Sequence, residues 1–264
     1  MTVELKKPEG PTRAGFCAII GAPNAGKSTL VNQLTGSKVS IVSHKVQTTR
    51  ARIRAIAMEG NAQIVLVDTP GIFKPRRTLD RAMVDNAWGG AGDADAVVLL
   101  IDGRPGLTDE AREIIAHLQH TNTRAVLVIN KIDLMSRERL LEVAAEFNAA
   151  YPFEQTFMVS ALNGSGTKDL LKYLAAKMPE SPWLYPEDQV ADVQLRFMAA
   201  EMTREVIYER LHEELPYAST VETESWEEQK NGSVKIGQVV YVQRDSQKAI
   251  VLGKGGQTIK LLGQ

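Results

Sequence analysis

Five short apolar runs, each followed by a loop that contains Gly, Pro, Asp or Asn, constrain the fold of this chain more than any other feature. The runs are Phe16–Ile20, Gln63–Val67, Ala96–Ile101, Ala125–Ile129 and Thr156–Val159. Helical stretches alternate with them, and such alternation indicates a parallel sheet covered by helices on both faces. A further strand, Arg50–Met58, is predicted to pair with Gln63–Val67 as an antiparallel hairpin. The sequence therefore predicts an α/β domain with a mixed, mostly parallel sheet.

Prolines divide the chain. The helices before them are predicted over Lys27–Thr35, Asp109–His120, Ser136–Ala149 and Gly166–Lys177, with Ser136 as an N-cap. Pro179, Pro182 and Pro186 then stiffen a connector and prevent a helix from continuing. We expect an N-terminal tail over residues 1–13, a first domain over 14–178, a Pro-rich linker over 179–190 and a smaller second domain over 191–264.

The second domain is predicted to mix helices and strands. Ala191–His212 has apolar residues at helical spacing, and Tyr217–Trp226 and Val234–Val242 are predicted as two strands. Asn231-Gly232 between these strands is a hairpin turn signal. Helical residues are expected on both sides of Gly253-Lys254-Gly255-Gly256.

Composition excludes several classes of protein. The hydrophobic fraction of 44% and the charged fraction of 24% are ordinary globular values. A net charge of -1 excludes a strongly basic nucleic-acid binder as a description of the whole chain, although a local basic patch is compatible with it. The single cysteine, Cys17, excludes an intrachain disulfide and a Cys-rich zinc site. Without an apolar run near the ~20 residues of a membrane span, or a signal-peptide core in residues 1–13, a cytoplasmic protein is expected.

The loop after the first run carries the most specific motif. Gly21-Ala22-Pro23-Asn24-Ala25-Gly26-Lys27-Ser28 matches G-x-x-x-x-G-K-[ST] between a strand and a helix. Its glycines let backbone N–H groups approach phosphate oxygens, and the N-terminus of the following helix adds partial positive charge. Lys27 is expected to reach the β- and γ-phosphates, and Ser28 to ligate Mg²⁺. The residues predicted to contact phosphate here are Gly21, Asn24, Ala25, Gly26, Lys27, Ser28 and Thr29.

Two further segments are predicted to complete the phosphate and metal site. Asp68-Thr69-Pro70-Gly71 ends a buried strand, so Asp68 can hold Mg²⁺ through water, and the Gly71 N–H can approach a γ-phosphate. In Gln47-Thr48-Thr49-Arg50, Thr49 could complete the Mg²⁺ shell in the triphosphate state. Without the other motifs, that segment is better explained as a polar loop. Lys27, Thr49 and Gly71 are the predicted catalytic residues.

Two later loops predict a guanine pocket. Asn130-Lys131-Ile132-Asp133 follows the fourth run, and the Asp133 carboxylate can accept both hydrogens from N1 and the exocyclic amine of guanine. Adenine lacks that pair of donors, so the carboxylate opposes an ATP-dependent enzyme. The Lys131 stem can lie along the base, and Asn130 can tie the neighbouring loops together. After the next run come Ser160 and Ala161, and the Ala161 N–H is a candidate donor to guanine O6.

These motifs, in this order and each at a strand end, resemble the Ras-like GTPase superfamily. Three of the segments are similar to those of the Era family of bacterial GTPases: Gly21–Ser28, Gln47–Arg50 and Asp68–Gly71. In the second domain, Tyr185-Pro186-Glu187-Asp188-Gln189 and Glu214-Leu215-Pro216-Tyr217 resemble the connector and the first helix-strand junction of the family's KH domain, and Gly253-Lys254-Gly255-Gly256 its G-x-x-G. The resemblance runs from about Ala14 to the last residue. It implies a Ras-like P-loop GTPase domain followed by a smaller α+β type II KH domain.

The resemblance also implies a function. Family membership implies Mg²⁺-dependent hydrolysis of GTP to GDP, binding to the 3′ end of small-subunit ribosomal RNA, and a role in assembly of the 30S subunit. It further implies a monomer with peripheral association at the inner membrane, and K⁺ as a second candidate cofactor bound near Asn24. For RNA, Gly253, Lys254, Gly255 and Gly256 would let the backbone approach about four nucleotides. A local excess of basic residues over 244–264 suits this contact.

Two departures raise alternatives. The chain stops at Gln264, so an incomplete KH domain with weak RNA binding is expected. Ile72 stands where Ras-like enzymes carry a water-orienting glutamine, although an apolar residue at this position is shared within the Era family. Ile72 predicts slow intrinsic turnover, and it keeps open a nucleotide-gated RNA-binding module with negligible hydrolysis.

Overall fold

A computed structural model describes residues 10–43, 45, 48–49, 53–72, 84, 87–89, 91–92, 94–192, 195–212, 214–229 and 231–263. Within these ranges the strands are β1 (Arg13–Ile20), β2 (Ile53–Glu59), β3 (Ala62–Asp68), β4 (Ala96–Asp102), β5 (Val126–Asn130), β6 (Thr156–Met158), β7 (Ser219–Glu228) and β8 (Val234–Val242). The described α-helices are α1 (Lys27–Thr35), α2 (Asp109–His120), α3 (Arg137–Ala150), α4 (Thr167–Lys177), α5 (Leu195–Arg210), α6 (Asp245–Leu252) and α7 (Gln257–Leu262).

The chain folds into two compact units. One comprises Met1–Ser40 and Thr49–Asp192, and the other Ile41–Thr48 and Val193–Gln264. Most of the predicted tail, and the first residues of the predicted strand Arg50–Met58, lie outside the described residues.

The first unit is built on a six-stranded sheet of order β2-β3-β1-β4-β5-β6. Every neighbouring pair is parallel except β2 and β3, which form the predicted antiparallel hairpin. Parallel strands point their carboxyl ends toward the same edge, so the loops that follow β1, β3, β4, β5 and β6 share that edge. The predicted α/β architecture is confirmed.

Alternation along β1 gives the sheet two buried faces. Cys17 and Ile19 pack in a cluster that includes apolar residues of α1 and α4. Ala18 and Ile20 pack in a second cluster with apolar residues of α2 and α3. Burial raises the pKa of the Cys17 thiol to about 12, as expected for a small buried apolar side chain.

The helices of the first unit begin within one residue of the predicted positions. Ser136 caps α3, since its hydroxyl oxygen accepts a hydrogen bond from the Arg139 N–H at 3.2 Å. Thr108 caps α2 in the same way, through the Ala111 N–H at 3.3 Å. α1 begins directly at Lys27, after Gly26 in a left-handed conformation.

The Pro-rich segment runs along the first unit. The buried Gln63 amide accepts hydrogen bonds from the N–H groups of Leu184 and Tyr185 at 2.8 and 3.0 Å, and donates to the Tyr185 carbonyl at 2.9 Å. The predicted helix over Ala191–His212 is wrong at its start. Ala191 forms an antiparallel bridge with Ala55, so the helix begins only at Leu195.

The second unit contains α5, the β7-β8 hairpin, α6 and α7. Its core contains apolar residues of α5, β7, α6 and α7. β7 and β8 pair antiparallel, and Gly232 in the predicted turn has φ 81°. Residues 41–48 belong to this unit because Glu205 accepts a hydrogen bond from the Val42 N–H at 2.9 Å and Arg204 donates to the Thr48 carbonyl at 2.5 Å. Among the described residues, we find no helix with the length and apolarity to cross a membrane.

Candidate functional site

The loop between β1 and α1 is tight enough to require its glycines. A Cβ on Gly26 would lie 2.3 Å from Nδ2 of Asn130, and Gly26 has φ 98°. A Cβ on Gly21 would lie 2.2 Å from the Leu100 carbonyl oxygen. Asn24 also adopts a left-handed conformation, with φ 61°. The chain therefore forms a tight loop directly before the N-terminus of α1. This is the arrangement that binds phosphate in G-x-x-x-x-G-K-[ST] loops.

Lys27 folds back over this loop. Its Nζ donates to the carbonyl oxygens of Gly21 at 3.0 Å and Ala22 at 2.9 Å. Burial lowers the pKa of Lys27 to about 8, and the Asp68 charge opposes that shift. A buried ammonium next to an anion-binding loop is placed to receive a phosphate oxygen.

Ser28, Thr49 and Asp68 meet beside the loop. The Ser28 hydroxyl donates to Oδ2 of Asp68 at 2.8 Å, and it lies 3.0 Å from Oγ1 of Thr49. Burial raises the pKa of Asp68, and the Ser28 hydrogen bond opposes the shift. In the part of the chain that the structure describes, Oδ1 of Asp68 has no hydrogen-bond partner. A carboxylate with a free buried oxygen and two hydroxyls form a donor set that fits Mg²⁺, whose preferred ligands are oxygens.

Gly71 lies against the phosphate loop. A Cβ there would come within 3.0 Å of Pro23, so a side chain would press on the loop. The next residue, Ile72, donates its N–H to the Gly21 carbonyl at 2.9 Å. The Ile72 side chain is buried in the apolar cluster that contains Ala18 and Ile20. It therefore packs in the core, and its chemistry excludes a role in binding water.

Asn130 joins three of the predicted loops. Its Nδ2 donates to the Ala25 carbonyl at 2.8 Å, and its Oδ1 accepts from the Ala161 N–H at 2.9 Å. Lys131 Nζ donates to the Asn24 carbonyl at 2.7 Å. These contacts bring the phosphate loop and both guanine loops together, while Asp133 is exposed at the rim.

The Ala161 N–H, the candidate donor to guanine O6, has a partner within the protein: it donates to Oδ1 of Asn130. Its contact with O6 stays a prediction. A contact with O6 from this N–H requires that the hydrogen bond be shared or exchanged. Ser160, the preceding residue, is fully buried.

Sequence reasoning missed Asp102. This residue ends β4 and accepts a hydrogen bond from Lys131 Nζ at 2.9 Å. The available signal was its position, directly after the apolar run Ala96–Ile101 and thus at the same sheet edge as the other loops.

The residues predicted to contact RNA lie in the second unit, in the segment between α6 and α7. Gly253, Gly255 and Gly256 have φ angles of 69°, 62° and 77°, which a glycine adopts without strain. A Cβ on Gly255 would meet open space. The backbone at Gly255 is therefore accessible, which suits a loop that approaches nucleotides closely.

Comparisons with known proteins decide the family. A model described as 50S ribosome-binding GTPase matches residues 16–131, and a KH domain model matches residues 214–264. The GTPase Era of Brucella suis is 62% identical over 253 residues, which cover 96% of this chain and 81% of that protein. The GTPase Era of Afipia carboxidovorans is 64% identical over 253 residues, covering 96% and 82%. This chain belongs to the Era family of GTPases.

Solved Era structures share the fold. Era in complex with MgGDPNP and nucleotides 1506-1542 of 16S ribosomal RNA superposes with a TM-score of 0.90 at 35% identity, covering 96% of this chain and 86% of that one. An Aquifex aeolicus Era variant bound to GDP.AlF4- gives a TM-score of 0.90 at 34% identity with the same coverage. The predicted Era resemblance, the Ras-like domain and the KH domain are therefore confirmed.

Proposed function

We propose that this chain is a GTP-hydrolysing switch that binds the 3′ end of small-subunit ribosomal RNA and acts in assembly of that subunit. The observation that carries the proposal is the convergence of Lys27, Asp68, Asn130 and Lys131 at one edge of the sheet. The RNA part rests on the matched KH domain and on the Era structure solved with 16S ribosomal RNA.

Different residues of the chain would bind the phosphates and the metal ion. The loop Gly21–Ser28, with Thr29, would hold the phosphates through backbone N–H groups, and Lys27 would neutralise charge on the β- and γ-phosphates. Ser28, Asp68 and Thr49 would hold Mg²⁺, and the ion, when bound, would supply positive charge next to the phosphates. The Gly71 N–H would contact the γ-phosphate, since its backbone sits against the phosphate loop.

Water is the proposed nucleophile. The buried, apolar Ile72 cannot orient it, so the intrinsic rate would be slow and a partner would raise it. The 30S subunit and its RNA are the candidate partner. A nucleotide-gated RNA-binding module with negligible hydrolysis stays the alternative, and single-turnover GTP cleavage discriminates between the two.

Base selection provides the experiment. Asp133→Asn exchanges a carboxylate acceptor for an amide, which pairs with xanthine, whose carbonyl replaces the amine of guanine. We expect the variant to lose GTP binding and to gain XTP binding, measured with both nucleotides under identical conditions. Asp109→Asn, at an exposed position of α2, is the matched control. A variant that binds GTP as the parent does and ignores XTP would show that the pocket is assigned wrongly.

A monovalent cation is proposed as a second cofactor. Asn24 carries an amide oxygen in the phosphate loop, and K⁺ could bind there beside the phosphates. The competing explanation is that Asn24 only favours the left-handed turn, which its φ of 61° satisfies. Equal hydrolysis rates in potassium and sodium chloride at matched ionic strength would rule K⁺ out.

Location and assembly are proposed from the family resemblance. We propose a monomer in the cytoplasm that associates with the 30S subunit and peripherally with the inner membrane. Fractionation of cells that express the tagged chain tests both associations.

A further inference from the structure

We infer that Asp102 is a positioning residue for nucleotide binding: its carboxylate holds the Lys131 ammonium so that the lysine stem is fixed where the base will lie. The inference rests on the proposed guanine pocket. Asp102 itself lies outside the sequence motifs that predict that pocket.

Register places the two residues side by side. β4 and β5 are parallel neighbours, and Asp102 pairs with Asn130, the residue before Lys131. The Gly103 N–H donates to the Asn130 carbonyl at 3.1 Å, which ties the loop after β4 to the loop after β5. Lys131 then turns with φ 65°. The juxtaposition is therefore fixed by the sheet, independently of any ligand.

Lys131 is held at its tip by two acceptors. Nζ donates to Oδ2 of Asp102 at 2.9 Å and to the Asn24 carbonyl at 2.7 Å. A lysine side chain has many rotamers, and ordering it on binding costs conformational entropy. With its tip fixed in advance, the stem loses less freedom when a base packs on it, so the affinity is higher.

Arg104 fixes the carboxylate in turn. Its Nε lies 3.0 Å from Oδ1 and its Nη2 2.6 Å from Oδ2 of Asp102, and its backbone N–H donates to Oδ1 at 3.1 Å. Burial raises the pKa of Asp102, but the hydrogen bonds from Arg104 and Lys131 outweigh it and lower the pKa to about 2. The carboxylate is therefore ionised at every pH at which the protein would be studied.

The position of Asp102 predicts which nucleotides bind more weakly when Asp102 is replaced. Lys131 would contact the face of the base, which every purine shares, and no phosphate. The loss of Asp102 should therefore weaken GDP, a non-hydrolysable GTP analogue and inosine diphosphate by the same factor. This distinguishes Asp102 from Asp133, whose substitution should change base preference.

A double-mutant cycle tests the inference. We expect Asp102→Asn to weaken GDP binding about tenfold through faster dissociation, the loss of one charge-assisted hydrogen bond. In a Lys131→Met background the same substitution should change affinity less than about twofold, because its only route is through Lys131. Asp109→Asn is the matched control, and thermal unfolding should show both Asp102→Asn and the control folded.

The possible outcomes of this cycle are separable. Parent-like GDP dissociation from Asp102→Asn, or effects of Asp102→Asn and Lys131→Met that multiply, would overturn the inference. Failure of the parent chain to bind GDP would instead overturn the proposed function. A selective loss of the triphosphate analogue alone would place Asp102 on the phosphate side and contradict its role in positioning Lys131.

Discussion

Two buried charges, Lys27 and Asp68, set the chemistry of the phosphate loop. Each is removed from water. Burial lowers the pKa of Lys27 and raises the pKa of Asp68, since it disfavours the charged form of both groups. The buried Lys27 ammonium has lost much of its hydration, so it gains much from an arriving phosphate, which supplies the opposite charge. The residues that make this site costly to fold are thus the ones that bind the ligand.

The pH dependence of binding follows from Lys27. Its pKa in the free chain is about 8, and anionic phosphates favour the ammonium, so the pKa rises when nucleotide binds. As the pH rises through 8, binding must recover a proton, and GDP affinity should fall by up to about tenfold per pH unit. Below pH 7 Lys27 is protonated with and without nucleotide, so it contributes no pH dependence to the GDP affinity.

Titration calorimetry of GDP from pH 7 to pH 9 measures the effect. GMP is the control, since it carries the same ionisable base but lacks the β-phosphate. A pH profile for GDP that matches the profile for GMP would mean that Lys27 does not govern the dependence.

Loops at the ends of the strands carry the site, and most of them could be predicted. Continuous apolar strands and the loop from Gly21 to Ser28 are local patterns, so the sequence identifies them without tertiary information. The segment Asn130–Asp133 is also a local pattern, although the hydrogen bonds of Asn130 to Ala25 and Ala161 span 105 and 31 positions. The start of α5 could not be predicted, because Ala191 pairs with Ala55 across a long sequence separation. Asp102 lacked a motif, and only the sheet register places it beside Lys131.

Ile72, in the loop after β3, yields a prediction about hydrolysis. Because its side chain packs in the core and not at the phosphates, Ile72→Gln should leave the single-turnover GTP cleavage rate within about tenfold of the parent. A buried amide without a partner should also lower the free energy of unfolding by about 1–3 kcal/mol. Ile72→Val is the apolar control. A loss of turnover beyond about 100-fold in Ile72→Gln, with Ile72→Val unaffected, would contradict a purely structural role for this side chain.

The whole molecule combines two compact units whose chain segments interleave. Residues 41–48, which lie between α1 and β2 in sequence, belong to the second unit, and Thr49 belongs to the first. Sequence patterns delimit domains as continuous stretches, so this exchange could not be predicted from Pro179, Pro182 and Pro186. It depends on α5 side chains whose partners are far away in sequence, such as Arg204, which lies 156 positions from Thr48.

Arg204 should stabilise the second unit. It is 2% exposed, and its guanidinium pairs with Glu201 in the same helix as well as with the Thr48 carbonyl. Arg204→Ala leaves a largely buried carboxylate unpaired, and we expect the free energy of unfolding to fall by about 3 kcal/mol. Differential scanning calorimetry measures it, with Arg196→Ala, at an exposed position of α5, as the control. Equal unfolding profiles for the two variants would contradict a stabilising role for the pair.

Under the proposed function, one chain couples GTP hydrolysis to binding of ribosomal RNA. Single-turnover cleavage of GTP with Mg²⁺, with and without an RNA of the 3′ end of small-subunit ribosomal RNA, measures this coupling. We expect slow cleavage that the RNA accelerates, and loss of the acceleration, with the basal rate kept, in a Lys254→Asp, Gly255→Asp double variant. Cleavage that is absent under both conditions, or that the RNA changes equally in the parent and the variant, would contradict the coupling.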